Sequence, residues 1–319
     1  MRPDLSEIYR ARRRLAGHVY RTPLARSDWL SERTGAEIYL KLECWQRTRS
    51  FKIRGAFNAA LLLSPAERAK GLVAASAGNH GQGVALAARE LGARATVFVP
   101  ESAPATKKDR IVAFGAELRE VPGIYDDAEA AALAYARETG ATFLHPFADP
   151  AVIAGQGTIG IELLEDLPDL REVVVPIGGG GLITGIGTVL RAAGAAGTRV
   201  VGVQSENTRS MYAAFEAGGP VEVAQGPTLA DGLAGGSADP ESYEMVRAVT
   251  DEVVLVEEKV IEGAIRDLFH YDGVVAEGAG AVAVAAVSAG VLHLRGPAAL
   301  IVSGGNLDGS RLAEILRGG

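Results

Sequence analysis

The 319-residue chain predicts an α/β protein with two open twisted sheets covered by helices, and three observations carry that expectation. Short β-rich runs alternate with helix-like stretches, the alternation occurs in two separate series, and three glycine-rich turns each follow an apolar run. Such alternation marks parallel strands joined by crossover helices, and ligand sites in open sheets of this kind lie beyond the carboxyl ends of the strands.

Taken in order, residues 1–70 begin with Arg10, Arg12, Arg13 and Arg14, which read as the solvated face of a first helix, and then carry apolar runs that must pack elsewhere. The first series places strands at Leu72–Ala75, Ala95–Val99, Glu117–Val121 and Thr142–Leu144, with helices at Gln82–Leu91, Thr106–Phe114 and Asp127–Thr139 between them. A second series places strands at Glu172–Pro176, Arg199–Gln204, Val253–Val256 and Ala298–Val302. Residues 71–147 are therefore expected to form a small domain inserted in a larger one built from 1–70 and 148–319. No tandem repeat or low-complexity tail interrupts the pattern.

Bulk properties exclude several function classes. With 48% hydrophobic and 22% charged residues the chain is a globular protein, and a net charge of −7 argues against nucleic-acid binding. Cys44 is the only cysteine, so neither an intrachain disulfide nor a cysteine-based metal cluster is available. The histidines His18, His145, His270 and His293 lack metal-ligand spacing and read as satisfied or surface residues. The uncharged windows Gly71–Ala88 and Val173–Leu190 are broken by glycine clusters and read as strand, loop and helix, not as membrane spans. The amino terminus shows no apolar stretch of signal-peptide type, and a reducing, cytoplasmic location is expected.

Two segments carry chemistry. Lys52 stands in Ser50-Phe51-Lys52-Ile53-Arg54-Gly55 at the start of a helix-like segment, where desolvation would lower its pKa towards the neutral amine that attacks carbonyls; the alternative is a solvated lysine among arginines. The tetraglycine Gly178, Gly179, Gly180 and Gly181 follows an apolar run and opens a helix at Leu182, so its backbone N–H groups suit a phosphate. There is no G-x-x-x-x-G-K-[ST] motif, and Ile183 and Thr184 break the dinucleotide spacing. A lysine of this kind, a phosphate cradle without a nucleotide signature and polar groups at other strand ends together suit pyridoxal phosphate.

The chain resembles the fold-type II pyridoxal phosphate enzymes of the threonine dehydratase and serine racemase family, whose fold is that of the tryptophan synthase β-subunit. The resemblance rests on Thr22-Pro23-Leu24, Ser50 to Ala56, Ser76-Ala77-Gly78-Asn79-His80-Gly81-Gln82, Gly178 to Leu182, Glu277-Gly278-Ala279-Gly280 and Ser303-Gly304-Gly305-Asn306, in family order over nearly the whole chain. It implies that Lys52 bonds the cofactor covalently and serves as general base, and that Phe51 packs on the pyridine ring. It also implies that Asn79 bonds the cofactor's 3-oxygen, that Gly178 to Leu182 hold its phosphate and that Ser303 meets the ring nitrogen. Ser76, Ala77, Asn79 and His80 are implied to receive the substrate carboxylate, with Gly232 and Glu277 in the cleft. The implied activity is α,β-elimination of water from threonine or serine, giving 2-oxobutyrate or pyruvate and ammonia. A homodimer or dimer-based oligomer with a small hydroxy amino acid as substrate is the expected state.

Departures from the family pattern narrow the activity. Racemase-like members carry a serine where Ala77 stands, and alanine has no proton to deliver to the opposite face of the α-carbon. Their acidic metal ligands are replaced by Gln204 and Ser210, so no metal site is expected. Arg49 replaces a glycine before Ser-Phe-Lys, and with Gly319 soon after the Ser303 segment, no regulatory domain of the biosynthetic threonine dehydratases is expected. A short catabolic-type dehydratase is the nearer match, though it could still supply 2-oxobutyrate for isoleucine biosynthesis. The rivals are a serine racemase, a 3-hydroxyaspartate dehydratase and, from another class, a non-catalytic phosphate-ligand sensor.

Overall fold

The computed structural model describes residues 2–194 and 197–318. The amino-terminal part contains α1 (Leu5–Leu15), β1 (Leu24–Arg26), α2 (Asp28–Thr34), β2 (Ile38–Leu42), α3 (Lys52–Leu62) and α4 (Pro65–Lys70). There follow β3 (Leu72–Ala75), α5 (Asn79–Glu90), β4 (Ala95–Pro100), α6 (Ala105–Ala113), β5 (Glu117–Val121), α7 (Tyr125–Thr139) and β6 (Thr142–Phe143). Next come α8 (Pro150–Asp166), β7 (Glu172–Pro176), α9 (Gly181–Ala192), β8 (Arg199–Ser205), α10 (Ser210–Ala217) and α11 (Pro240–Arg247). The chain ends with β9 (Glu252–Val256), α12 (Glu258–Asp272), α13 (Gly278–Ser288), β10 (Ala298–Val302) and α14 (Gly309–Arg317).

Two sheets result, a six-stranded one in the order β1-β2-β10-β7-β8-β9 and a four-stranded one in the order β5-β4-β3-β6. Every pairing is parallel except β1 with β2. The central strands β7 and β10 are buried throughout as Glu-Val-Val-Val-Pro and Ala-Ala-Leu-Ile-Val, the continuous apolar runs that a parallel sheet covered on both faces requires. Alternate residues serve opposite faces: Val174, Leu300 and Val302 join the core under α12 and α13, whereas Val173, Val175 and Ile301 pack with α9. Strands β3, β5, β7 and β10 occupy the ranges expected from the sequence, and the others assigned there differ by one residue at an end.

Helix α3 packs against both α5 and α8. Its Ile53, Ala56 and Phe57 share a core with Leu72 and Leu86 of the smaller sheet layer, so the start of this helix is fixed between the two sheets. Among the described residues no helix is long and apolar enough to cross a membrane.

Candidate active site

A cavity of about 570 Å³ opens beyond the carboxyl ends of β3, β4, β7 and β10, with Ala75, Pro100, Pro176 and Ser303 among its lining residues. The residues to which the sequence assigned a cofactor, substrate or cleft role line it: Phe51 and Lys52, Ser76 to His80, Gly178 to Leu182, Gly232, Glu277 and Ser303. Strand-end loops that are remote in sequence meet here because parallel strands deliver all their carboxyl ends to one edge.

Lys52 is the first residue of α3, as its context predicted. Its side chain is half-buried at the cavity wall and its amine donates to the Pro146 carbonyl at 2.8 Å. Burial lowers the amine's pKa from 10.5 to about 8, because the charged form loses hydration without gaining a carboxylate. The preceding turn is tied to β10: Phe51 N–H donates to the Ser303 carbonyl at 3.1 Å, and Ser50 bridges to Gly304. Arg49 sits at φ 55°, the left-handed region that favours glycine, and this is the physical reason a glycine suits that position.

Two residues beyond Lys52, Arg54 anchors the helix in a buried charge network. Its guanidinium donates to Glu43 at 2.9 and 2.8 Å and to Glu162 at 2.6 and 2.9 Å. Lys41 Nζ lies 2.6 Å from Glu162 and donates to the Thr22 carbonyl at 2.7 Å, while the Thr22 hydroxyl donates to Glu43 at 2.5 Å. Two cations and two carboxylates balance. Burial alone would push the Glu162 carboxyl up, but Arg54 and Lys41 hold it below the usual carboxylate range. The network joins β2, α3 and α8, so the three elements that set the position of Lys52 are locked by fully partnered charges.

On the same cavity, the first backbone bond of α9 runs from Thr184 N–H to the Gly180 carbonyl at 3.0 Å, so the N–H groups of the tetraglycine precede the helix ladder. Gly180 adopts φ 86°, and a Cβ on Gly179 would come within 2.3 Å of the Phe147 ring. The glycines are therefore required by close approach as well as by backbone conformation. A cradle of N–H groups at a helix start, facing a deep lysine across a cavity of this size, fits a phosphorylated aldehyde cofactor.

Helix α5 starts at Asn79, three residues before the expected helix, and its first residues line the same cavity. The Ser76 hydroxyl accepts from Gly78 N–H at 3.2 Å, and Ala77 lines the wall between them with a methyl group only. Asn79 is held from both ends: its Nδ2 donates to Glu277 at 2.6 Å and its Oδ1 accepts from Asn306 at 2.6 Å. Glu277 stands at the N-cap of α13 but makes no side-chain cap bond, its carboxylate being turned to Asn79. Burial raises its pKa to about 7 against the opposing bond from Asn79. His80 Nε2 lies 2.7 Å from the Leu144 carbonyl and must be the protonated nitrogen, since a carbonyl only accepts; its Nδ1 is buried without a partner among the described residues. Burial holds this histidine neutral, at about 3. Ser303, just past the end of β10, is buried and its hydroxyl reaches the Ala279 carbonyl at 3.2 Å.

Sequence reasoning missed several wall residues, Pro146, Phe147, Tyr125 and Lys107; the last pairs with Asp231, which the family's turn at Asp231-Gly232 already placed in the cleft. Pro146 and Phe147 directly follow His145, which is satisfied as expected, because its Nδ1 accepts from the N–H groups of Phe147 and Ala148 at 3.2 and 2.9 Å. Gln204, which stands where racemase-like members carry an acidic metal ligand, is buried and its Oε1 accepts from Tyr212 N–H at 2.8 Å.

Comparison with known proteins agrees with this geometry. Residues 15–304 match the family described as pyridoxal-phosphate dependent enzyme. The chain belongs to this family. This pyridoxal-phosphate-dependent enzyme is 49% identical to the L-threonine ammonia-lyase of Thermotoga maritima over 99% of its own length and 78% of that protein. It is 44% identical to the catabolic L-threonine dehydratase TdcB of Escherichia coli K12, covering 98% of the chain and 95% of the relative. Among solved structures, maize serine racemase superimposes with a TM-score of 0.94 at 30% identity, covering 100% of this chain and 98% of that one. A processed threonine deaminase, isoform 2 from Solanum lycopersicum, gives 0.90 at 34% identity, covering 99% and 94%.

Proposed function

We propose that the protein is a threonine ammonia-lyase that eliminates water from L-threonine, and from L-serine, to give a 2-oxo acid and ammonia. The observation that carries this reading is a desolvated Lys52 amine, without a carboxylate partner among the described residues, lining one cavity with the tetraglycine helix start. Relatives named as threonine ammonia-lyase or dehydratase support it over nearly the full chain.

When bound, pyridoxal phosphate draws electrons from the α-carbon of an amino acid joined to it. In this reading Lys52 Nζ first holds the cofactor and, once released, takes the α-proton; a pKa near 8 leaves a usable fraction as free amine at neutral pH. Backbone N–H groups from Gly178 to Leu182 would hold the phosphate, and Phe51 would pack on the ring. Asn79, pinned by Glu277 and Asn306, presents its amide to the cofactor's 3-oxygen, while the start of α5 with Ser76 and His80 receives the substrate carboxylate. Ser303 offers a hydroxyl to the ring nitrogen, and a hydroxyl cannot keep that nitrogen protonated as a carboxylate would. The β-hydroxyl would leave as water on taking a proton, which Lys52 Nζ, protonated by the α-proton it has removed, can return. Ala77 supplies no second acid, so elimination is favoured over racemisation.

Two-fold assembly belongs to the same proposal. Tyr20 and Trp45 are 57% and 51% exposed on adjoining segments, joined by the reciprocal bonds of Gln46 with the backbone of Tyr20, and an exposed aromatic pair suits a subunit contact.

The test is a visible spectrum of the purified protein with pyridoxal phosphate, before and after L-threonine, with 2-oxobutyrate and D-amino acids assayed together. A cofactor band that shifts with threonine as 2-oxobutyrate accumulates is expected. D-serine formation from L-serine without 2-oxo acid would move the assignment to a racemase, and no cofactor band would remove the enzyme reading altogether.

A further inference from the structure

The Pro146–Phe147 segment enters the cavity between its two chemically active walls. The Pro146 carbonyl accepts from the Lys52 amine at 2.8 Å, and the next residue's ring covers Gly179 so closely that a Cβ there would lie 2.3–2.5 Å from three ring carbons. The two residues thus reach from the amine, at Pro146, to the phosphate cradle, at Phe147, and both line the cavity. A substrate amino group must reach the position that the Lys52 amine occupies, and its β-carbon is then two bonds away, beside this segment. The ring is also held in place from behind. His145 packs edge-on against it with centroids 4.6 Å apart, and Nδ1 of the same histidine accepts the N–H groups of Phe147 and Ala148. Asp149 then caps α8 through Ala151 N–H at 2.7 Å, so the segment is fixed at both ends. A ring rigidly held beside the β-carbon offers an apolar surface where the methyl of threonine would sit and where serine has only hydrogen.

We propose that Phe147 is the residue that sets side-chain preference, its ring packing on the γ-methyl of threonine, and that His145 is the positioning residue that holds the ring in place. This rests on the lyase reading above and adds which group discriminates between its two substrates. No carboxylate or cation is needed for the discrimination; it is contact area alone. Burial of one methyl group is worth about a four-fold change in relative kcat/KM by area, and up to about ten-fold or more in a tight pocket.

The experiment compares the holoenzyme with Phe147→Ala, Phe147→Leu, Phe147→Tyr, His145→Ala and His145→Asn, using 2-oxobutyrate from L-threonine and pyruvate from L-serine. Expected is a fall of about four-fold or more in the threonine-to-serine ratio of kcat/KM for Phe147→Ala, a smaller fall for Phe147→Leu, and retention for Phe147→Tyr. His145→Ala is expected to lower the ratio as well, and His145→Asn, whose amide oxygen can take the place of Nδ1, to restore it. Affinity for pyridoxal phosphate is measured in parallel, because a ring that merely packs on the glycine loop would weaken cofactor binding and depress both substrates equally. An unchanged ratio in Phe147→Ala and Phe147→Leu overturns the proposal. If the unaltered enzyme formed neither 2-oxo acid, the lyase reading would fail by itself. The methyl contact would still be read from the affinities of L-2-aminobutyrate and L-alanine, which differ by the same methyl and are followed through the cofactor absorbance. Equal sensitivity of both ligands to Phe147→Ala would overturn it there too.

Discussion

Glu162→Gln probes the buried charge network that holds the helix bearing Lys52. In the native protein Arg54 and Lys41 are balanced by Glu43 and Glu162, with Glu162 in contact with both cations at 2.6 Å. Replacing one carboxylate by an amide leaves a net buried positive charge, which costs about 3–5 kcal/mol when a partner of a buried pair is removed. For 319 residues, an unfolding entropy of about 2.1 cal/mol/K per residue gives roughly 0.7 kcal/mol per degree, so the melting temperature should fall by about 4–7 °C. Differential scanning calorimetry at neutral pH reads this directly. The double variant Lys41→Met/Glu162→Gln restores neutrality around Arg54 and Glu43 and should recover at least half of the loss, a coupling that two independent sites would not show. A drop of less than about a degree in the single variant, or a double variant lower than the single, would refute the argument that charge balance stabilises this junction.

Four further outcomes rest on the same geometry. Lys52→Ala should abolish turnover and the cofactor's covalent absorbance band while leaving phosphate-dependent binding measurable by equilibrium dialysis; retained turnover would remove Lys52 from the mechanism. Because the Lys52 amine must be neutral to attack the aldehyde and burial lowers its pKa to about 8, the rate of cofactor uptake by cofactor-free protein should rise with pH and level off above about 8, and a rise continuing to about 10 would contradict the burial. Glu277 has a folded pKa of about 7, above its unfolded value of 4.5, so its burial costs nothing below pH 4.5 and about 3 kcal/mol above pH 7. Glu277→Gln should therefore raise the melting temperature at about pH 8 and leave it nearly unchanged at pH 4.5; equal shifts at both would point to packing and not charge. Arg49→Gly relieves a left-handed backbone and should stabilise by about 1 kcal/mol after the extra chain entropy of glycine is counted, and thermal melts of the two proteins decide it.

What can be seen in the sequence, and what cannot, divides along physical lines. Strands β3, β7 and β10 are legible because buried parallel strands are uninterrupted apolar runs bounded by turns. Strand β2 escapes a sequence reading, since Lys41 in its middle looks like a surface residue; it is fully buried because its carboxylate partner, Glu162, comes from α8, far along the chain. The sequence puts the start of α5 too late because Asn79 and His80 look like loop residues, and their helical state depends on Glu277 and Leu144 receiving their side chains. Lys52, Ser303 and the tetraglycine are legible by chemical type within recognisable motifs. Phe147 is not, because nothing about a phenylalanine in His145-Pro146-Phe147 signals a cavity wall until the glycine loop is seen beneath it.

The position of β10 has a consequence for how the protein is made. This strand, which follows the other nine in the chain, lies inside the larger sheet and links β2 to β7. During translation the four-stranded sheet, contiguous from Leu72 to Phe143, can complete early, whereas β1 and β2 must wait with an open edge until residues 298–302 leave the ribosome. Ser303 and the Phe51 turn that it ties down are assembled in that same event. Cofactor capture therefore waits for β10, and a nascent chain stalled before it would present an unpaired strand edge in place of a binding site.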